Sequence, residues 1–243
     1  MVQSALAAGA FLVAVAFALS TFERWLTHRR RHELAWAVAL TFFAAGAVFL
    51  WVGASTGWTL PVFRGFYLFG AVVNVPVLAL GTVYLLAGRS QGDRWAAVIA
   101  LAAAFAAGVL VVSPAHRIVD ATRLPQGSDV FGVLPRVMAA VASGGGALVV
   151  LGGAVWSAWR QRPGRLMWAN VVIATGTLVL GASGLLNSVL GAMEAFAVTL
   201  AVGVTILYAG FLLAVTPGRR REPPAALAAA PFRPDLAEAP RQR

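Results

Sequence analysis

The chain contains no cysteine and no lysine, and these two absences exclude several kinds of chemistry. Without cysteine, the 243 residues can form no disulfide, no thiolate metal site and no cysteine nucleophile. Without lysine, no Schiff base can form, which excludes a retinal-binding photoreceptor. All 19 basic residues other than histidine are therefore arginine.

Charge of either sign is also scarce. Only 12% of the residues are charged, 60% are hydrophobic and the mean hydropathy is +0.80. Soluble domains usually carry about 25% charged residues. The composition therefore predicts a membrane protein.

Long apolar runs recur along the chain. About 20 mostly apolar residues are needed to cross the hydrocarbon core as a helix. Seven runs meet this length, and we place them at Gln3–Ser20, Leu34–Gly53, Pro61–Ala87, Trp95–Ser113, Pro135–Trp159, Leu166–Leu186 and Val189–Val215. The sequence thus predicts an all-α, polytopic membrane protein with seven transmembrane helices. We expect it to be a multi-pass protein of the bacterial plasma membrane.

Arginine is unevenly distributed between the two sets of connections. Fifteen of the 19 arginines fall on alternate connections and in the tail: Arg24, Arg29, Arg30, Arg31, Arg89, Arg94, Arg160, Arg162, Arg165, Arg219, Arg220, Arg221, Arg233, Arg241 and Arg243. Basic residues near span ends face the cytoplasm. This pattern predicts an N-terminus outside and a cytoplasmic C-terminus. The eight tryptophans all lie near predicted span ends, where we expect them at headgroup level.

The chain divides into a membrane domain and a tail. We assign residues 1–216 to a seven-helix transmembrane domain and residues 217–243 to a disordered, basic, Pro/Ala-rich cytoplasmic tail. The longest outer connection, Pro114–Leu134, has room for a short helix or a lid.

Glu194 is the acidic residue that we place inside a span, near the outer end of the last one. A carboxylate at that depth must be paired, hydrated or protonated. Arg136 and Arg64 begin the fifth and third spans on the same side, so a Glu194–arginine pair is our prediction. Two readings stay open: an ion pair or headgroup contact that stabilises the bundle, or a ligand or proton site.

Asn74 falls near the middle of the third span, two residues before Pro76. Proline removes a helix hydrogen bond and leaves a carbonyl free, so we expect a bend or a widened turn here. Three roles stay open for the Asn74 amide. It donates a hydrogen bond to that carbonyl, it bonds to a neighbouring helix, or it forms the polar floor of a cavity that opens outward. Asn187 is a second candidate for lining such a cavity.

Other kinds of site find little support. His28 and His32 have helical ligand spacing, but Arg29, Arg30 and Arg31 between them repel a divalent cation. We predict no metal, no cofactor and no catalytic residue. We expect no nucleic-acid binding. Anionic lipid headgroups are the expected partners of the cytoplasmic arginines, and a membrane-protein partner is possible.

Two stretches carry a family resemblance, "RRRHELAW" (29–36) and "GWTLPVFRGFYLFGAVVNVPVLALGTVYLLAGR" (57–89). Together with the short basic loops, they resemble the uncharacterised seven-helix integral membrane proteins of high-GC Gram-positive bacteria. The resemblance covers the spans, excludes the tail and carries over no functional residue. The helix count with an outside N-terminus is also similar to the sensory membrane modules of bacterial kinases.

Three functional hypotheses follow. The leading one is a non-enzymatic sensor, binding or scaffolding bundle with a small polar cavity that faces outward. The alternative is a small-solute or proton-coupled transporter that uses Glu194 as its titrating group. The third is an intramembrane enzyme. Polar residues thin out on the inner side of Asn74, which favours a one-sided pocket over a transport path.

Overall fold

The computed structural model describes residues 2–115, 120–160, 164–190 and 193–215, with backbone alone for 2–3, 182–190, 193–195 and 215. Regular structure in these ranges is helical, apart from one isolated antiparallel bridge between Ala115 and Phe131. The α-helices are α1 (Val2–His28), α2 (Arg31–Thr56), α3 (Leu60–Phe66), α4 (Asn74–Val112), α5 (Gly127–Val130), α6 (Val133–Arg160), α7 (Arg165–Leu190) and α8 (Met193–Val215). A π-helix, Tyr67–Val73, joins α3 to α4. The all-helical class predicted from the apolar runs is confirmed.

The segment Leu60–Val112 is interrupted at Gly88. Gly88 has φ 81° and ψ −179°, a conformation that breaks the helical path inside α4. Glycine adopts positive φ without the steric cost of a Cβ atom, so the chain can turn there. The break lies immediately after the predicted third span, Pro61–Ala87.

The helices pack as a closed ring. α1 contacts α2 and α8, α2 contacts the π-helix and α4, α4 contacts α6, α6 contacts α7, and α7 contacts α8. One apolar cluster includes Trp58, Phe63 and Phe131 and occupies the end of the ring where α3 begins. A second cluster packs α1 and α2 against α8. It is formed by Phe17, Leu40, Phe211 and their neighbours.

Large apolar side chains stay exposed on the outer surface of the ring. Leu101 is 73% exposed and Leu148 is 71% exposed, although both lie in the middle of long helices. Five helices of the described residues are long and apolar enough to cross a membrane: Ser4–His28, Arg31–Thr56, Leu60–Val112, Val133–Arg160 and Phe196–Ala214. An apolar surface of this extent requires a lipid environment. The chain is a membrane-embedded helical protein.

The structure adds detail at two predicted span ends. α1 extends eight residues beyond the predicted span end at Ser20, to His28. Trp58, near another predicted span end, is buried inside the protein and is 2% exposed. Its ring lies against Gly53, where a Cβ atom would come within 2.6 Å of it. The predicted tail, residues 217–243, lies outside the described residues.

Candidate functional site

The middle of the third predicted span carries a widened turn, as Pro76 predicted. The π-helix Tyr67–Val73 ends one residue before Asn74 and three before Pro76. Pro76 has no N–H and cannot donate to the carbonyl of Ala71 or Val72. The hydroxyl of Ser143, on α6, donates to the Ala71 carbonyl instead. A neighbouring helix thus supplies a donor where the proline removes one, as membrane helices require.

Glycines bring two neighbouring helices against this widened turn. A Cβ atom on Gly146 of α6 would lie 2.9 Å from the carbonyl carbon of Val75. A Cβ atom on Gly46 of α2 would lie 3.1 Å from the backbone nitrogen of Gly70. Close backbone approach at small residues is the usual packing mode of membrane helices. The π-helix is therefore held between α2 and α6.

Asn74 is buried at the C-terminal end of the π-helix. Its side chain is 7% exposed, and its Oδ1 atom has no hydrogen-bond partner among the described residues. A buried acceptor without a donor costs free energy. π-helical turns occur often at functional sites. The structure therefore leaves an acceptor in the bundle interior that is open to a donor from water or a ligand.

Arg64 is also incompletely paired. Its Nη2 atom donates to the Ser113 carbonyl at 2.9 Å, whereas its buried Nε has no partner among the described residues. Arg136, the other predicted partner of Glu194, is exposed. The side chains of Glu194 and Asn187 lie outside the described residues, so the predicted Glu194–arginine pair stays a prediction.

Residues 120–131, in the predicted outer connection, fold back over the start of α3. The backbone N–H of Trp58 donates to the Ala121 carbonyl at 2.7 Å. Phe131 is 1% exposed and stacks on Phe63 with 5.4 Å between ring centroids. α5 lies beside Tyr67, since a Cβ atom on Gly127 would come within 2.9 Å of that ring. The connection thus contains a short helix and covers an aromatic cluster.

At the edge of this connection, Asp120 is stabilised locally. Its Oδ1 atom accepts hydrogen bonds from the hydroxyl and the backbone N–H of Thr122. These bonds, followed by the charge of Arg123, lower the pKa of Asp120 below its ordinary value. His116, which shares the i, i+4 spacing with Asp120, lies outside the described residues. Asp120 is thus held in a turn by its own neighbours.

The opposite end of the bundle contains a buried ion pair that the sequence pattern did not reveal. Glu33, in the first turn of α2, is 1% exposed. Arg24, on α1, donates from Nη2 to Glu33 Oε1 at 3.1 Å, and the guanidinium lies 5.9 Å from the Phe211 ring of α8. Glu33 Oε2 and Arg24 Nε have no partner among the described residues. Glu194 is the one acidic residue that the sequence places inside a predicted span. The structure also buries Glu33, which precedes the predicted second span.

A second ion pair links two connections at this end. Arg31 Nη1 lies 2.6 Å from Asp93 Oδ1, across 62 residues of sequence. The Tyr84 hydroxyl donates to the same oxygen at 2.8 Å, and Arg89 Nε lies 3.6 Å from Oδ2. The only local signal was the i, i+4 spacing of Arg89 and Asp93. The α1–α2 connection and the connection after Gly88 therefore lie at the same end of the bundle.

Other predicted polar residues have local roles. Asn170 donates to the Leu166 carbonyl at 2.9 Å and to Ser157 at 3.2 Å, so it links α7 to α6. His28 contacts the Arg24 carbonyl through Nδ1 at 3.0 Å. Within the described ranges, no group of three or more histidine, aspartate or glutamate side chains is placed to hold a metal ion.

The fold and these sites define a membrane-embedded helical bundle with buried polar groups at its middle and at one end. No protein-family model matches the chain, and neither the curated proteins nor the solved structures contain a significant match. Functional assignment therefore depends on the geometry of the bundle itself.

Proposed function

We propose that the chain is a seven-span protein of the bacterial plasma membrane, with its N-terminus outside and its C-terminus in the cytoplasm, that binds a ligand or partner without catalysing a reaction. Its polar site lies in the outer half of the bundle, with Asn74 as its floor. Sensing and scaffolding are the roles that such a site can serve.

The length of the segment Leu60–Val112 supports seven spans. Its 53 residues would extend about 80 Å as one helix, whereas the hydrocarbon core is about 30 Å thick. The break at Gly88 divides the segment into two parts of sufficient length to cross. With α7 also crossing, the five candidate spans become seven.

The Arg31–Asp93 ion pair supports the placement of two connections on the same side of the membrane. It joins two connections that the arginine distribution assigns independently to the cytoplasm. A topology in which either connection changed sides would separate the two residues by the thickness of the bilayer.

The unpaired Oδ1 atom of Asn74 carries the proposal of a binding role. In a bundle interior, a polar acceptor needs a donor, and no described side chain supplies one. A hydrogen-bond donor on a small ligand would satisfy it, next to a π-helix whose extra width depends on Ser143 and Pro76.

The experiment compares two asparagine variants of the purified protein in nanodiscs. A panel of small alcohols, amides and amines is screened by thermal unfolding against the wild type, Asn74→Leu and Asn170→Leu. We expect at least one compound to raise the Tm of the wild type and of Asn170→Leu but not of Asn74→Leu. Asn170 is the control because its amide nitrogen already donates to two groups inside the protein.

Two results together would contradict the binding role. Without any compound, Asn74→Leu has a higher Tm than the wild type, and no compound raises the Tm of the wild type more than that of Asn74→Leu. In that case Asn74 is only an unfavourable polar residue in the core.

A further inference from the structure

A cleft of about 560 Å³ opens at the end of the bundle that carries the Arg31–Asp93 pair. It lies between the C-terminal end of α1, the N-terminal end of α2 and the part of α4 before Gly88. We call it the α1–α2–α4 cleft. Its volume is in the range of sites that hold small ligands, which are mostly apolar with a few polar groups.

The rim of the cleft is cationic and aromatic. It is formed by Trp25, Arg29, Arg31 and Tyr84. The Arg29 guanidinium lies 4.9 Å from the Trp25 ring centroid, and among the described residues it has no carboxylate partner. Arg31 is oriented by its 2.6 Å contact with Asp93. One guanidinium is thus available for an anion, and a second is held in place beside it.

The floor of the cleft is apolar. It consists of Leu34, Ala35 and Val38 of α2 with Val77 and Leu80 of α4. From Arg31 to Val38 the helix rises about 10 Å, so the floor runs from the rim toward the middle of the bilayer. A hydrocarbon chain fits such a floor, whereas a free anion would leave it empty.

The backbone at Arg29 is unusual. Arg29 has φ 54°. In the described part of the chain, every other residue with positive φ is a glycine. This left-handed region favours glycine, because a Cβ atom is strained there. The backbone N–H of Arg29 donates to the Trp25 carbonyl at 2.7 Å, so this left-handed residue ends α1. The strain here accompanies a guanidinium placed on the rim of the cleft.

We propose that the α1–α2–α4 cleft binds an anionic phospholipid, with the phosphate at Arg29 and Arg31 and one acyl chain along the apolar floor. Arginine suits phosphate because its planar guanidinium offers paired donors. Arg29, Arg31 and Arg89 outnumber the carboxylate of Asp93, and the other nearby carboxylate, Glu33, is paired with Arg24. The rim therefore favours a net negative headgroup. Trp25 and Tyr84, which also line the cleft, are side chains of the kind that is enriched at headgroup level.

The proposal rests on the proposed topology for one point only, namely that the lipid comes from the cytoplasmic leaflet. The chemistry of the cleft does not depend on which leaflet supplies the lipid. Lipid binding and topology are therefore measured separately, and either can fail alone.

The test uses the full-length protein, delipidated in neutral detergent. Mixed micelles with phosphatidylglycerol or phosphatidylcholine are titrated, and bound lipid is counted by native mass spectrometry. The variants are Arg29→Gln, Arg29→Gly and the matched control Arg160→Gln. Arg160 lies over Trp156 at 5.5 Å and repeats the Arg29–Trp25 arrangement at the end of α6, away from the cleft.

We expect phosphatidylglycerol to bind more tightly than phosphatidylcholine to the wild type. Arg29→Gln and Arg29→Gly should each weaken phosphatidylglycerol binding by about five- to tenfold, as the loss of one arginine–phosphate contact implies. Arg160→Gln should change it less than about twofold. Arg29→Gly also removes the backbone strain, so its Tm should equal or exceed that of the wild type while its lipid affinity falls.

Three results would overturn the proposal. The first is equal affinity for the two lipids. The second is an equal loss of affinity in Arg160→Gln and Arg29→Gln, which would indicate a general electrostatic effect of the arginine-rich surface. The third is an increase in the Tm of the protein with inorganic phosphate or glycerol phosphate that is as large as the increase with phosphatidylglycerol. This result would identify a soluble anion as the ligand.

Discussion

Arg24 and Glu33 form an ion pair of 3.1 Å across the turn between α1 and α2, and the carboxylate is 1% exposed. The pair fixes the angle at which α2 leaves α1, because each residue belongs to a different helix. The guanidinium also faces Phe211 of α8, so the contact joins three helices. Removal of either partner leaves the other charge uncompensated, and of the two Glu33 is fully buried whereas Arg24 is partly buried. This defines the first prediction.

Glu33→Gln should lower the free energy of unfolding by about 1–3 kcal/mol, because Arg24, which is 28% exposed, then lacks its counter-charge. The double variant Arg24→Gln/Glu33→Gln should recover part of that loss. Unfolding in detergent, followed by circular dichroism, measures both. The exposed Asp120–Arg123 pair is the control, and Arg123→Gln should cost less than about 1 kcal/mol. Equal losses in Glu33→Gln and Arg123→Gln would contradict a structural role for the buried pair.

Adjacent glycines of α6 should respond differently to alanine. Gly146→Ala should destabilise the protein by about 1–3 kcal/mol, because its methyl group would meet the backbone of Val75 and Pro76. Gly145→Ala should be neutral or stabilising by up to about 1 kcal/mol, since no atom lies within 4 Å of its Cβ position. Thermal unfolding of the two variants side by side measures the difference. Similar Tm values for both variants would show that α6 does not approach the widened turn this closely.

The Ser143–Ala71 hydrogen bond should depend on Pro76. Ser143→Ala should cost about 1 kcal/mol, because the Ala71 carbonyl loses its donor. In a Pro76→Ala background the same substitution should cost less, since residue 76 then carries an N–H of its own. A double-mutant cycle on stability measures this coupling. Strict additivity would mean that the serine serves a carbonyl unrelated to the proline.

The structure favours Arg64 over Arg136 as the predicted partner of Glu194. Arg64 is half-buried, and its buried Nε atom has no partner among the described residues, whereas Arg136 is exposed. Exposed ion pairs contribute little, about 0–1 kcal/mol. A cycle of Glu194→Gln with Arg64→Gln should therefore show stronger coupling than a cycle with Arg136→Gln. The reverse order, or no coupling in either cycle, would remove the basis for an ion pair at this end. Proton uptake in liposomes that Glu194→Gln abolishes would instead favour the transporter alternative.

Local signals predicted the helices and the widened turn, because both depend on nearby residues. Apolar runs define helices in lipid, and Pro76 necessarily removes one donor. The same signals missed Glu33, since it precedes the apolar run of α2 and becomes buried only through the angle between α1 and α2. The Arg31–Asp93 pair was missed because it joins residues 62 positions apart. The sequence does not predict the burial of Trp58, because Gly53 provides a surface for its ring only in the folded structure.

The central claim is the seven-span topology with the Gly88 connection in the cytoplasm, and the absence of cysteine allows a direct test. Ser90→Cys and Ser128→Cys each place one exposed thiol in a chain that otherwise has none. Intact cells are treated with a membrane-impermeant maleimide, and labelling is repeated after the membrane is opened. We expect Ser128→Cys to be labelled in intact cells and Ser90→Cys only after the membrane is opened. Labelling of Ser90→Cys in intact cells would contradict the account.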